Sequence, residues 1–199
     1  MTVLRTLLLT LLVAPLLSAC VGVQLNTQER SFFTAVGDLN IKTEFNARLL
    51  GESNAMFAGV SSTVIEGRLH ITGTLPTAED RRRVTQIAWS IPTVREVVND
   101  IEVAASTGLV DAARDRWISA RLRTLMVADT TIRDSNYAIE TENGVIYLNG
   151  IAQDAAERDR VVAHANAVPE ARRVVSYVLV KDDPRRGEGR LAAQDGPQE

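Results

Sequence analysis

Cys20 is the only thiol in 199 residues, and it directly follows Leu17-Ser18-Ala19 at the end of an apolar run over residues 7–17. Arg5 precedes that run. A basic start, a short apolar stretch and small residues before a processing point have the form of a secretory signal, and the run is too short to span a bilayer. A lone thiol cannot form an internal disulfide, so its chemistry is covalent modification of the sulfur or pairing outside the chain. Two readings stand side by side. In one, residues 1–19 are an address and the mature protein starts at a modified Cys20; in the other, an ordinary secreted chain carries an unpaired cysteine near its start.

Other reactive groups are sparse. His70 and His164 are the only histidines. His70 alternates with Leu69 and Ile71 and so points away from the face they cover. Neither histidine has a second histidine or a local pair of carboxylates beside it, so no usual metal set is expected. No Ser-His-Asp or Cys-His spacing stands out, and no phosphate-cradling glycine-rich motif is present. The expectation is a protein without catalytic residues or a metal, and not an enzyme.

The sharpest contact candidate is Trp117, within Arg114-Asp115-Arg116-Trp117-Ile118. Ile118, Leu122, Leu125 and Met126 recur at three- and four-residue spacing and define one apolar helix stripe, with Trp117 at its edge. An edge tryptophan covers the rim of a core or lies at a bilayer surface, which suits its amphipathic ring. Arg114 and Arg121 flank Trp117 on one helix face, and Arg133 lies downstream; each guanidinium near an anionic surface contributes around 1 kcal/mol. In the bilayer reading Trp117, Arg114, Arg121, Arg133 and Ile118 form the candidate membrane-contact set; in the other Trp117 covers the core rim. Arg81-Arg82-Arg83, preceded by Glu79 and Asp80, reads instead as a solvated helix face.

Composition is that of a folded soluble domain, 45% hydrophobic and 24% charged. A net charge of -3 gives no footing for a nucleic-acid partner. No later apolar stretch reaches the roughly 18 residues of a membrane-spanning helix.

These residues are positioned by an internal repeat. Residues 67–103 align without a gap on residues 144–180 at an offset of 77, with twelve identities that include Gly67/Gly144, Gly73/Gly150, Arg81/Arg158, Arg95/Arg172 and Val97-Val98/Val174-Val175. A unit of that length means two copies of a small domain. Upstream the register shifts by four, with Ala47-Arg48-Leu49 on Ala120-Arg121-Leu122, so that Arg48 matches Arg121 and Glu44 matches Trp117. In the second copy a helix over 111–128 precedes alternating Tyr137, Ile139 and Thr141, and Asn143-Gly144 marks a tight hairpin into a strand that Gly150 ends. Asp154 caps a helix to about residue 167, stopped at Pro169, and a valine-rich strand over 174–180 closes the unit. The first copy repeats this with a helix over 40–50, strands over 63–66 and 68–72, a helix over 77–90 capped by Thr77, and a strand over 97–103. Gly67, Gly73, Gly144 and Gly150 are expected to serve as structural turns. Helix, strand, strand, helix, strand closes a small core with two helices on one face of a three-stranded mixed sheet, an α/β class fold of the α+β sandwich type. A linker over 104–110 is too short for independent tumbling, so the copies are expected to touch.

A strand carrying Gly73 or Gly150, a helix with Arg81 or Arg158, and Val97-Val98 or Val174-Val175 in the closing strand together resemble the BON domain (bacterial OsmY and nodulation domain). The resemblance covers residues 38–103 and 111–180, although Thr93-Val94 and Glu170-Ala171 stand where the family usually has glycine-valine. Leu17-Ser18-Ala19-Cys20 resembles the bacterial lipobox, which implies cleavage of a signal peptide over residues 1–19. It further implies diacylglyceryl and N-acyl groups, palmitate among them, on Cys20. A lipidated tether over 20–37 then leads to the first domain, and the tail over 181–199 is expected to be disordered. With Val21 after the cysteine, the combined resemblance is to dual-BON-domain lipoproteins of the outer membrane, anchored by lipid with their domains in the periplasm. It implies binding to an anionic phospholipid membrane and support of membrane integrity, with no cofactor beyond the covalent acyl groups. The alternative is a protein-interaction module docking to an outer-membrane assembly factor or a cell-wall component.

Overall fold

A computed structural model describes residues 32–54, 58–104 and 109–186, together with the backbone of Gln194 and Asp195. Helix α1 (Phe32–Glu52) leads to the antiparallel hairpin of β1 (Val60–Ile65) and β2 (Arg68–Leu75). Helix α2 (Ala78–Trp89) then crosses to β3 (Glu96–Val103), parallel to β2. The second repeat supplies α3 (Leu109–Ala128), β4 (Tyr137–Glu142), β5 (Val145–Ala152), α4 (Ala155–Asn166) and β6 (Arg173–Val180), with the same pairing senses. A short β7 (Gln194–Asp195) lies parallel to β3, giving sheet orders β1-β2-β3-β7 and β4-β5-β6. Each repeat is thus two helices on a three-stranded mixed sheet, as the sequence pattern predicts.

Local chemistry sets the boundaries. The Thr77 hydroxyl accepts from Asp80 N at 3.0 Å and the Asp154 carboxylate from Glu157 N at 2.8 Å, caps that each contribute about 1 kcal/mol. Both hairpins turn on two residues with positive φ, Glu66 (52°) and Gly67 (76°) in one, Asn143 (49°) and Gly144 (76°) in the other. That is the type I′ geometry whose twist matches the flanking strands. Buried Asp38 on α1 accepts from Glu66 N at 2.9 Å and Gly67 N at 2.8 Å; buried Asp115 on α3 accepts from Asn143 N at 2.8 Å and Gly144 N at 2.7 Å. Each carboxylate ties a helix to its hairpin turn. A side chain on either turn glycine would collide with the stem of Arg95 or Arg172, which explains why glycine and arginine recur together.

Several sequence expectations are corrected. Asp38/Asp115, Ile41/Ile118, Phe45/Leu122 and Leu49/Met126 hold equivalent places, so the offset of 77 runs through the first helix and the four-residue shift does not exist. Trp117 therefore corresponds to Asn40, Arg121 to Glu44 and Arg114 to Gly37. Gly73 and Gly150 are not turns, because β2 continues to Leu75 and β5 to Ala152. They lie inside strands where a Cβ would meet the carbonyl oxygen of Gly59 at 2.1 Å or of Asn136 at 2.6 Å. Helix α1 starts at Phe32, within the segment read as tether, and β1 starts at Val60. In the tail, residues 184–186 form a 3-10 turn and Gln194–Asp195 pairs with β3, where disorder is the sequence expectation. Cys20, the segment read as a signal peptide and the rest of the tail lie outside the described residues.

One core joins α1 and α2 to their sheet through Ile41, Phe45, Leu49, Leu69, Ile71, Val84, Ile87 and Val97. The other uses Ile118, Leu122, Met126, Ile146, Leu148, Val161 and Val178. Trp89 packs at the rim of the first core. The alternate strand residues point the other way, and there the two sheets meet.

Candidate functional site

Strand alternation sends Thr63, His70, Thr74, Asp100 and Glu102 out of the first core, and Glu140, Glu142, Tyr147, Asn149 and Tyr177 out of the second. These polar groups face one another across the seam. His70, 3% exposed, is its centre. Its Nε2 lies 2.8 Å from Asp100 Oδ2, and the Asn149 amide lies 2.7 Å from Nδ1; with Asn149 donating, Nε2–H donates to Asp100. Tyr177 OH donates to the same Asp100 oxygen at 2.8 Å. The Tyr147 and Tyr177 rings stand 5.4 and 4.8 Å from the imidazole. Around this centre Thr63 donates to Glu140 at 3.1 Å, Thr74 to Glu142 at 2.9 Å, and Asn143 to Glu102 at 2.6 Å. Arg186, beyond β6, binds Glu66 on the first repeat through two contacts, at 3.0 and 2.6 Å.

Three contacts join residues 77 apart, the repeat distance: Thr63 with Glu140, His70 with Tyr147, and Asp100 with Tyr177. Residues touch their own counterparts only near a two-fold axis, so the repeats pack as the halves of an isologous dimer fused into one chain. Burial, and then the hydrogen bond to Asp100, hold the Tyr177 hydroxyl well above the usual tyrosine range. Burial and the charge of Asp100 push Tyr147 up to about 12. Burial raises Glu142 as well, against the lowering effect of Thr74. The seam holds polar side chains in fixed partnerships and encloses only about 10 Å³ beside His70, too little for a substrate.

With the helices on the outer side of each sheet, the molecule is a four-layer α/β/β/α sandwich. Trp117 stands on the outer face of α3 and is 47% exposed. Arg121 is exposed beside it, and Arg114 one turn earlier makes a 3.1 Å ion pair with exposed Glu170. A solvent-exposed pair of this kind contributes at most about 1 kcal/mol, so an anion competes for Arg114 readily. Across residues 112–128 the only acid is Asp115, and it is buried against the hairpin turn. Ile118 does not belong to this surface. It is fully enclosed in the second core, because the stripe it defines is the face that packs on the sheet. Arg133 lies beyond Ala128, the last residue of α3, which is itself about 16 Å along the axis from Trp117 at 1.5 Å per residue, so Arg133 is not part of the cluster.

At the far end of α3, Asp129 accepts from Thr131 Oγ1 at 2.5 Å and from Thr131 N at 3.0 Å, and lies 2.9 Å from His164 Nε2 on α4. The Thr131 hydroxyl and then His164 hold its carboxyl down at about 2, below the ordinary 3.8. A depressed carboxyl stabilises the fold above its ordinary value, and this contribution is lost as pH falls from about 4 through 2. Titration by carbon NMR is expected to place the Asp129 midpoint near 2, and Thr131→Ala is expected to raise it; an unchanged midpoint in that variant counts against the assignment.

Among the described residues no group of three or more metal-ligating side chains occurs, and no helix is long and apolar enough to cross a membrane. A duplicated helix-strand-strand-helix-strand unit with its polar sheet faces sealed together and its helix faces turned outward defines a tandem α+β module. The chain belongs to the BON-domain family: the BON domain model matches residues 37–105 and again 114–182. It is 35% identical to "Uncharacterized protein in gshII 5'region" of Anaplasma centrale over 76% of this chain and 99% of that one. It is 23% identical to the outer membrane lipoprotein DolP of Haemophilus influenzae, over 65% of this chain and 68% of that protein. It is also 25% identical to a 21 kDa hemolysin of Actinobacillus pleuropneumoniae, over 61% and 63% of the two chains.

The sequence pattern singled out Trp117 and its arginines but missed Asp38, Asp115, Asp100, Asn149 and Tyr177. The Asp38/Asp115 identity appears once the first helices are aligned at 77.

Proposed function

We propose that this chain is a non-enzymatic envelope lipoprotein, anchored to the outer membrane through acyl groups on Cys20, whose second BON domain binds anionic phospholipid and supports membrane integrity. One observation carries the reading: the exposed face of α3 places Trp117 between Arg114 and Arg121 with no exposed acid in residues 112–128. The indole suits the headgroup boundary, and the guanidiniums suit lipid phosphates. Similarity to an outer membrane lipoprotein and the lipobox at Cys20 support the anchor and its location. With two arginines and one ring the affinity of the face is modest, and tethering at Cys20 raises the local concentration enough for weak binding to be frequent.

A second reading draws on α1. Its outer face carries Val36, Leu39 (62% exposed), Asn40, Thr43, Ala47 and Leu50 without a charge, which suits an outer-membrane or cell-wall protein better than an anionic surface.

Sedimentation of the full chain carrying Cys20→Ala with anionic phosphatidylglycerol vesicles tests the first reading. Trp117→Ala and Arg121→Glu are each expected to weaken binding about tenfold, a change of roughly 1.4 kcal/mol. Binding unchanged in both variants removes α3 as the contact face.

A further inference from the structure

The two repeats differ in how their last strand is finished. Main-chain bonds from Ala104 N to Leu75 O and from Lys181 N to Ala152 O fix which residues of β3 and β6 face the neighbouring strand. Alternate residues then direct N–H and C=O outward: Val97, Asn99 and Ile101 in β3, and Val174, Ser176, Val178 and Val180 in β6. The β3 edge is occupied. Arg81 donates to Asn99 O at 3.0 Å, Ile101 N donates to Asn99 Oδ1 at 3.1 Å, and β7 lies alongside. The β6 edge is open. Arg158, the counterpart of Arg81, turns to Asp159 at 2.9 and 2.8 Å, and among the described residues no strand lies beside β6. The outward Val178 N–H reaches only the Ser176 hydroxyl, at 3.5 Å. Residues 97–100 are all buried, whereas residues 174–177 are half-buried or exposed.

Open edges are normally guarded by proline, a bulge or a charge within the strand, and residues 174–180 contain neither proline nor charge. Charge sits instead at the two ends, Arg172-Arg173 before the uncharged run and Lys181-Asp182-Asp183 after it. One end is basic and the other net acidic, a pattern that complements itself only when two copies run antiparallel. Among the described residues, the side chains of Arg173 and Asp182 are exposed and make no hydrogen bond or ion pair.

We propose that β6 is a homodimer edge, at which the β6 strands of two copies of this chain pair antiparallel about a two-fold axis. Outward-facing residues pair only with outward-facing residues. Val174 then meets Val180 and Ser176 meets Val178 of the second copy, Tyr177 lies at the axis, and Arg172 comes opposite Asp182. The contact joins two three-stranded sheets into one of six and leaves both outer helix faces uncovered.

Sedimentation velocity of the full chain in non-ionic detergent tests this, with amide exchange as a local readout. A concentration-dependent dimer is expected, with slowed exchange at Val174, Ser176 and Val178 that deepens as it forms. Ser176→Pro removes an outward N–H that has no partner among the described residues, so it is expected to abolish the dimer and leave the melting temperature within a few degrees. Asp182→Arg alters an exposed side chain that makes no hydrogen bond or ion pair among the described residues, and is expected to weaken association at least tenfold even if the proline variant fails to fold. A chain that stays monomeric up to about 500 µM overturns the proposal, as does a dimer whose affinity and exchange pattern neither substitution changes.

Discussion

Replacing Asp100 by alanine is expected to destabilise the protein by about 3 kcal/mol, because it strips the acceptor from two donors at once and a buried orphan donor costs roughly 1–3 kcal/mol. His70 Nε2 and Tyr177 OH both end on Asp100 Oδ2, and His70 is fully enclosed by the two sheets. For a chain of this size the loss corresponds to a fall of roughly 10 °C in melting temperature. Tyr177→Phe removes one donor and leaves the Asp100–His70 pair intact, so about 1 kcal/mol is expected. In the double variant the orphaned hydroxyl is gone, and its loss is expected to be smaller than the sum of the two single losses. Because the pair bridges β3 and β6, calorimetry of Asp100→Ala is expected to separate one transition into two as the repeats uncouple. A loss below about 1 kcal/mol with a single sharp transition refutes a structural role for the seam.

What the sequence makes legible is local. Thr77 and Asp154 are caps by type and position, Asn143-Gly144 is a hairpin turn by chemistry, and alternation in residues 174–180 assigns each side chain to a face. The destination of the second face is not local. His70, Asp100 and Tyr177 look like the solvated side of a half-buried sheet, and their burial depends on contacts between residues 77 apart. Alternation says that His70 leaves one core; it is silent on the second sheet waiting there. The first-helix register was obscured for a related reason. Arg48-Leu49 and Arg121-Leu122 are identical pairs, whereas the true partners Phe45/Leu122 and Leu49/Met126 are alike only in being apolar and enclosed. Ile118 shows the same limit: it adjoins Trp117 in sequence, but one step on a helix turns it about 100° into the core.

The layered arrangement also relates the proposed anchor to the proposed membrane face. Sheets packed about 10 Å apart, each backed by a helix layer another 10 Å out, put the α3 and α1 faces on opposite sides, roughly 30 Å apart. If α3 rests on the bilayer, α1 is on the far side, and residues 21–31 must span that distance. Eleven residues reach at most about 36–40 Å when extended, so the anchor and the membrane-facing pose are compatible with little slack. In that proposed pose the uncharged stripe of α1 faces away from the bilayer.

Gly73→Ala is expected to be the most damaging single-methyl change in the first domain, at about 4 kcal/mol or more. Gly73 has φ of 131°, a region L side chains rarely adopt, and its added Cβ would stand 2.1 Å from Gly59 O and 3.1 Å from Val60 Cα. No side chain can swing away to relieve this, because the obstructing atoms are backbone. Nor can β1 retreat easily, since Thr74 N donates to Gly59 O at 3.0 Å and Val60 is the ladder partner of Gly73. Gly150→Ala, its counterpart, meets Asn136 O and Tyr137 Cδ1 at 2.6 Å each, without a positive φ. The Asn136 carbonyl is backbone and cannot rotate away, but the approach is longer than at Gly73 and the φ is one any residue adopts, so the expected cost is smaller, about 2–3 kcal/mol. Heteronuclear NMR of Gly73→Ala during mild heating is expected to lose residues 60–103 first while residues 137–180 persist, and Gly150→Ala is expected to reverse that order. If Gly73→Ala melts within about 1 kcal/mol of the parent chain, β1 can move off β2 at this point and the close approach is not what requires glycine.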